Sequence, residues 1–203
     1  DDLLVFFRHC HDELVSPEKY EEDVQKLERG ELPVPRVSRS READILSDEE
    51  VVGRCREIAG VFTTVERMLR EENLGTFSHM ITRAHELLAT DEKVLEEERG
   101  RARFILVDEF QDANFAQIQI LAALAGHDAN IFAVGDPDQA IYRFRGASSA
   151  AFHLFRRHFP QSKLVVLGKN RRSTTPILQS AFAVVDKNPA VFRTGEAGAF
   201  AYR

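Results

Sequence analysis

Apolar and polar positions follow two different periods along this chain. In the first hundred residues apolar side chains recur every three or four positions, the spacing of one helix face. Val51, Val52, Cys55, Ile58, Ala59, Phe62, Val65, Met68 and Leu69 form such a stripe. It predicts a helix of about 26 residues, roughly 39 Å long at 1.5 Å per residue. Ser47-Asp48-Glu49-Glu50 stands ahead of it as a capping box, in which the Ser47 oxygen accepts the Glu50 amide and the Glu50 carboxylate reaches back. Ser16-Pro17-Glu18 opens an earlier helix that runs to about Arg29, with Gly30 as its left-handed stop. Asn73-Leu74-Gly75 ends the long helix. Thr76 then caps another, with Phe77, Met80, Ile81, Ala84, Leu87 and Leu88 on its buried side. Residues 31–46 hold two prolines and three arginines without periodicity and read as a loop or strap. This half is a small helical bundle.

The second half changes period. Phe104-Ile105-Leu106-Val107, Ile131-Phe132-Ala133-Val134 and Leu164-Val165-Val166-Leu167 are continuous apolar runs, the pattern of strands buried on both faces. Helical patterns lie from Phe115 to Ala125, from about Ser148 to His158, and from Thr174 to about Val185. Alternating strand and helix predicts an α/β fold with right-handed crossovers and a parallel sheet. In such sheets ligands sit at the carboxyl ends of the strands, so the residues just past each run are the places to look for chemistry.

Composition narrows the class. Of 203 residues 43% are hydrophobic and 30% charged, enough apolar material to fold and too much for a disordered chain. No run reaches the roughly 18 apolar residues of a membrane helix. The chain starts without Met or a basic leader, which suggests a segment internal to a longer protein. Cys10 and Cys55 give no disulfide framework and fit a reducing, cytoplasmic setting. The net charge of −6 is unevenly spread: residues 1–100 carry 25 acidic against 14 basic side chains, and residues 101–203 carry 8 against 13. The basic half is the one suited to a polyanion.

Most charged groups in the first half read as ordinary surface. Glu96-Glu97-Glu98 is a solvated face. His9-Cys10-His11-Asp12 looks like a ligand cluster, but neighbours on a helix point in different directions and no second ligand pair follows in sequence. The chemistry lies after the apolar runs. Asp108-Glu109 follows the first: there an Asp can hold hydrated magnesium and a Glu can orient and deprotonate a water for in-line attack on phosphorus. Gly135-Asp136-Pro137-Asp138-Gln139 follows the second, with Gly135 and Pro137 shaping a sharp exit and Gln139 offering a donor and an acceptor. Next, Tyr142, Arg143, Phe144 and Arg145 interleave rings with guanidinium groups, a pattern that stacks on unpaired bases beside a phosphate backbone. Asn170-Arg171-Arg172-Ser173-Thr174 follows the third run and precedes a helix, which makes an anion site.

These segments, VDEFQD (107–112), VGDPDQAIYRFRGA (134–147) and NRRST (170–174), resemble motifs II, III and IV of the UvrD/PcrA/Rep family of superfamily-one DNA helicases in content, order and spacing. Thr76-Phe77-Ser78-His79-Met80 is similar to a degraded form of the Phe-Asp-Asp-Leu stretch that precedes motif II. The resemblance implies a partial RecA-like sheet with flanking helices (101–175), a preceding all-α insertion subdomain (1–100) and the start of a second RecA-like domain (176–203). It implies ATP and Mg²⁺, with Asp108 as magnesium ligand, Glu109 as catalytic base and Gln139 as γ-phosphate sensor. Arg172 would reach the γ-phosphate across the domain cleft, and Arg171 would lie beneath adenine, where the family usually has Tyr. Tyr142 and Phe144 would contact single-stranded DNA, Phe144 in place of the usual Trp. Arg145 would couple nucleotide to strand, and Gln111 and Asp112 would link motif II to motif III.

The loop G-x-x-x-x-G-K-[ST] that cradles phosphates is absent from the 203 residues. The resemblance therefore implies a piece of an ATP-driven 3′→5′ DNA translocase in repair or recombination, inactive as an ATPase by itself. Its partners would be single-stranded DNA, duplex–single-strand junctions and the rest of the helicase chain, with no membrane. Two other readings stay open at this level: the motor of a helicase–nuclease complex, and a DNA-binding scaffold that kept the fold without turnover.

Overall fold

The computed structural model describes residues 2–35, 46–126, 130–140 and 151–185. The chain divides into two units, Asp1–Asp91 and Glu92–Arg203. The first is built from helices α1 (Asp2–Asp12), α2 (Pro17–Glu28), α3 (Asp48–Glu71) and α4 (Phe77–Thr90). Side chains satisfy the free amides at three of their starts. Ser16 Oγ accepts the Lys19 amide of α2. At α3 the expected capping box is complete, with Ser47 Oγ accepting the Glu50 amide and Glu50 Oε2 accepting the Ser47 amide. At α4 Thr76 Oγ1 accepts the His79 amide while His79 Nδ1 accepts the Thr76 amide at 3.0 Å. An imidazole thus fills the place usually taken by a carboxylate.

Phe62 is completely buried and stacks on Phe7, with centroids 4.6 Å apart and planes 9° from parallel. Cys10 completes this core, and Phe6, Tyr20, Ile58 and Val65 pack around it. Burial pushes the Cys10 thiol up to about 11, so it stays protonated and inert in the apolar cluster. The two stripes expected from the sequence are buried only in part. On α3, Val51, Ala59 and Phe62 are buried while Met68 is exposed. On α4 only Leu88 is buried. Phe77 is 90% exposed, and Met80 and Leu87 are also exposed, because no described element covers them.

The second unit holds α5 (Glu92–Arg101), β1 (Ile105–Val107), α6 (Phe115–Ala125), β2 (Ile131–Ala133), α7 (Ala151–His158) and α8 (Thr175–Val185). The strands are parallel, with Ile105 opposite Ile131, Leu106 opposite Phe132 and Val107 opposite Ala133. The α6 crossover makes this pairing possible. Phe110, Ala113, Ile118 and Ala151 form the core, joined by Val107, Ala133, Leu121 and Phe155. Phe110 meets the Phe152 and Phe155 rings edge-on at 5.5 and 5.3 Å. The acidic run 96–98 lies on α5, where Glu97 and Glu98 pair with Arg101 in solvent. Among the described residues the fold is mostly helical, with a small two-stranded parallel sheet. Among the described residues no helix is long and apolar enough to cross a membrane.

Two sequence expectations need correction. Leu164–Leu167 is not a strand: it pairs with no described strand, and Val165 and Leu167 are exposed. A continuous apolar run signals a segment that suits burial, but ladder hydrogen bonds make a strand, and among the described residues only β1 and β2 form them. Nor are β1 and β2 buried on both faces. Their side chains alternate, so Val107 and Ala133 pack on the core while Leu106 and Phe132 stand exposed on the other face. The helix expected from about Ser148 is described only from Ala151.

Past the strands the chain crosses itself closely. Val134 N–H donates to Val107 O at 2.8 Å and Phe110 N–H donates to Val134 O at 2.9 Å. A Cβ on Gly135 would lie 2.5 Å from Gln111 Oε1 and 3.0 Å from the Phe110 nitrogen, so only glycine fits. Gly135→Ala is expected to lower stability by about 1–3 kcal/mol by overpacking. Gly60→Ala, exposed on α3 where a Cβ meets nothing, is expected to raise it by about 0.5–1 kcal/mol. Phe62→Ala is expected to cost about 3–4 kcal/mol through the cavity it leaves. Urea unfolding of the three variants checks all three signs.

Candidate functional site

The carboxyl ends of β1 and β2 carry the candidate site. Asp108 and Glu109 follow β1 and are exposed. Asp108 Oδ1 accepts the Glu109 amide at 2.9 Å, which holds the first carboxylate against the turn. Glu109 itself has φ 49 and ψ 41, the left-handed region that a side chain with Cβ enters at a cost of about 1 kcal/mol or more. The tight 3-10 turn Phe110–Asp112 follows at once. Phe110 points into the core and anchors the turn, so the strained residue is held by buried packing just after it.

Gln111 joins the two strand exits. It is buried, and its carboxamide uses both ends: Nε2 donates to Glu109 Oε2 at 2.6 Å, and Oε1 accepts the Asp136 amide at 3.0 Å. Asp136 follows β2 and Gly135. Its Oδ1 accepts the Asp138 amide at 3.0 Å and its Oδ2 accepts Gln139 Nε2 at 2.8 Å. A continuous hydrogen-bonded set thus runs from Glu109 through Gln111 and Asp136 to Gln139. Asp112 Oδ1 is buried without a hydrogen-bond partner among the described residues, a state that costs about 1–3 kcal/mol until a donor reaches it.

The remaining sequence candidates stand apart from this set. Asn170 Oδ1 accepts the amides of Arg172 and Ser173, an Asx turn ahead of α8. Arg171 and Arg172 are exposed there, and no hydrogen bond or ion pair among the described residues joins them to Asp108 or Glu109. Tyr142, Phe144 and Arg145 lie outside the described residues.

Two features escaped sequence reasoning. One is the organising role of Asp136, whose signal was available: an Asp before Pro-Asp-Gln is placed to cap its own turn. The other is a cluster in the first unit, where His11 of α1 and His79 of α4 both meet Glu66 of α3. Three helices supply it, so no local spacing announces it.

Chemically, the strand exits present exposed carboxylate oxygens beside a carboxamide-held turn. Asp108 Oδ2 has no hydrogen-bond partner among the described residues, and a hard oxygen of this kind suits a magnesium ion.

Comparison with known proteins shows the family. The family model for the UvrD/REP helicase N-terminal domain matches residues 3–160. A putative ATP-dependent DNA helicase, YjcD of Bacillus subtilis, is 37% identical over 133 residues, covering 66% of this chain and 18% of that protein. DNA helicase II of Escherichia coli K12 is 37% identical over 128 residues, 63% of this chain and 18% of that protein. The ATP-dependent DNA helicase Rep of the same organism is 34% identical over 139 residues, 68% of this chain and 21% of that protein. The chain spans about a fifth of the length of these curated relatives. With more than half of its residues matched, the chain belongs to the UvrD/REP helicase family through that family's N-terminal domain.

Proposed function

We propose that this chain supplies the hydrolytic and coupling segment of an ATP-driven DNA translocase with 3′→5′ polarity. It would form part of a RecA-like domain, and the whole protein would turn ATP hydrolysis into movement along single-stranded DNA and duplex unwinding. The observation that carries the reading is the hydrogen-bonded set from Glu109 through Gln111 and Asp136 to Gln139. It joins the residue suited to activate water with the residue suited to sense a phosphate, across two strand exits.

Each side chain has a defined task in this reading. Asp108 would hold a magnesium ion, which would supply positive charge to offset that of the phosphates. Glu109 takes the proton from the attacking water, and its left-handed backbone keeps the carboxylate at the turn. Gln111 orients that carboxylate by donating to Oε2. Gln139 contacts the phosphate that is transferred, and Asp136 holds its carboxamide meanwhile. Arg172 stabilises charge on the transferring phosphoryl group and Arg171 stacks on the base; both must approach from the α8 side when nucleotide closes the site. Tyr142 and Phe144 stack on bases of the single strand, and Arg145 carries the nucleotide state to them. Asp112, which has one buried oxygen, links the turn after β1 to the motif after β2.

In the full-length protein, Glu109→Gln is expected to lower DNA-stimulated ATP hydrolysis by about 10² or more while nucleotide and single-stranded DNA still bind. Steady-state turnover with and without DNA, beside equilibrium binding of each ligand, measures this. A wild-type protein that binds DNA and does not hydrolyse ATP contradicts the motor and leaves a scaffold.

A further inference from the structure

We infer that the first unit contains a site for one divalent transition metal ion, zinc before others, formed by His11, Glu66 and His79. The three residues come from α1, α3 and α4. Both imidazoles present Nε2 to the same carboxylate: His11 Nε2 lies 3.2 Å from Glu66 Oε1, and His79 Nε2 lies 3.0 Å from Oε1 and 2.9 Å from Oε2. One ligand atom from each residue falls within 4.8 Å of the others. Donor atoms around a tetrahedral ion with bonds of about 2.0–2.1 Å must stand a little over 3 Å apart, so the site closes by small side-chain movements.

The donor set selects the ion. Two imidazole nitrogens and one carboxylate match a borderline-soft cation with a coordination position left open, and suit magnesium or calcium poorly. The rings are already brought together, with centroids 4.5 Å apart. His11 is buried and rests edge-on against Phe62 at 5.7 Å, which fixes its ring. Glu66 and His79 line a groove of about 700 Å³ with Leu69, Leu74, Phe77 and Met80, and the ion and its water ligand enter there.

A supporting shell is present as well. A metal on His79 Nε2 requires the ring proton on Nδ1, and Thr76 Oγ1 lies 2.7 Å from Nδ1 to accept it. The bond given up is the one from the Thr76 amide to Nδ1. A hydroxyl or carbonyl behind the second nitrogen is the arrangement that orients ligating histidines. Cys10 is not a ligand, since its thiol is buried with Phe7 and Phe62. The ion would cross-link three helices, with water as its fourth ligand.

The test uses the full 203-residue chain, freed of metal by dialysis against a chelator and titrated with Co²⁺ and then Zn²⁺. The expected result is one Co²⁺ per chain with the visible absorption of four-coordinate cobalt, displaced by one equivalent of Zn²⁺. Glu66→Gln and His79→Gln are expected to weaken binding at least tenfold, and His9→Ala to leave it unchanged, with circular dichroism reporting that each variant folds. If the first two do not fold, X-ray absorption on the zinc-loaded wild-type chain decides: nitrogen and oxygen neighbours with two imidazoles support the site, and a sulfur neighbour overturns it. No stoichiometric binding, or binding that survives both substitutions in folded protein, also overturns it and leaves a hydrogen-bonded His–Glu–His set.

Discussion

The buried carboxamide of Gln111 is the interaction on which the geometry of the two strand exits depends. Its donor end holds the Glu109 carboxylate and its acceptor end holds the backbone where β2 ends. Buried polar groups are costly unless satisfied, so the two strand exits must keep the separation that the carboxamide can span. Gly135 follows from the same constraint, because any side chain there would strike Gln111 Oε1. The left-handed Glu109 follows as well. The chain must leave β1, turn its carboxylate toward Gln111 and place Phe110 in the core within two residues, and the packing of Phe110 against Phe152 and Phe155 opposes the backbone strain. This fixed geometry is what the proposed acid–base chemistry needs.

The first unit is held on different terms. Its helices start at side-chain caps, and α1 and α3 join through Phe7, Cys10 and Phe62. Near this core, Glu66 accepts from two imidazoles on separate helices, so a polar contact ties α1 and α4 to α3. His79 serves twice, capping α4 through Nδ1 and meeting Glu66 through Nε2. That double use explains why an imidazole stands where a capping carboxylate would satisfy the helix equally well. A carboxylate there would face Glu66 with like charge.

Much of this was legible in the sequence, for physical reasons. Caps are local, so Ser16, Ser47 and Thr76 announce their helices within four residues. Short apolar runs followed by Asp-Glu and Gly-Asp-Pro-Asp-Gln mark two parallel strands and their exits, and those exits do lie side by side. What was not legible depends on partners distant in sequence. Leu164–Leu167 has the composition of a strand and no described strand to pair with. Phe77 and Met80 have helical spacing and no described element covering them. The direction of the Gln111 carboxamide follows from where β2 ends, which residues 107–112 alone do not specify. The His11–Glu66–His79 cluster draws one residue from each of three helices, so only packing brings it together.

In the proposed function, Gln111 links the Glu109 turn to the segment after β2 through its two hydrogen bonds. The direct measurement is the ratio of ATP hydrolysis with single-stranded DNA to that without it, in full-length protein bearing Gln111→Leu, which keeps the bulk and removes both hydrogen bonds. This ratio is expected to fall toward one while single-stranded DNA still binds. A ratio equal to that of the wild type would contradict that link.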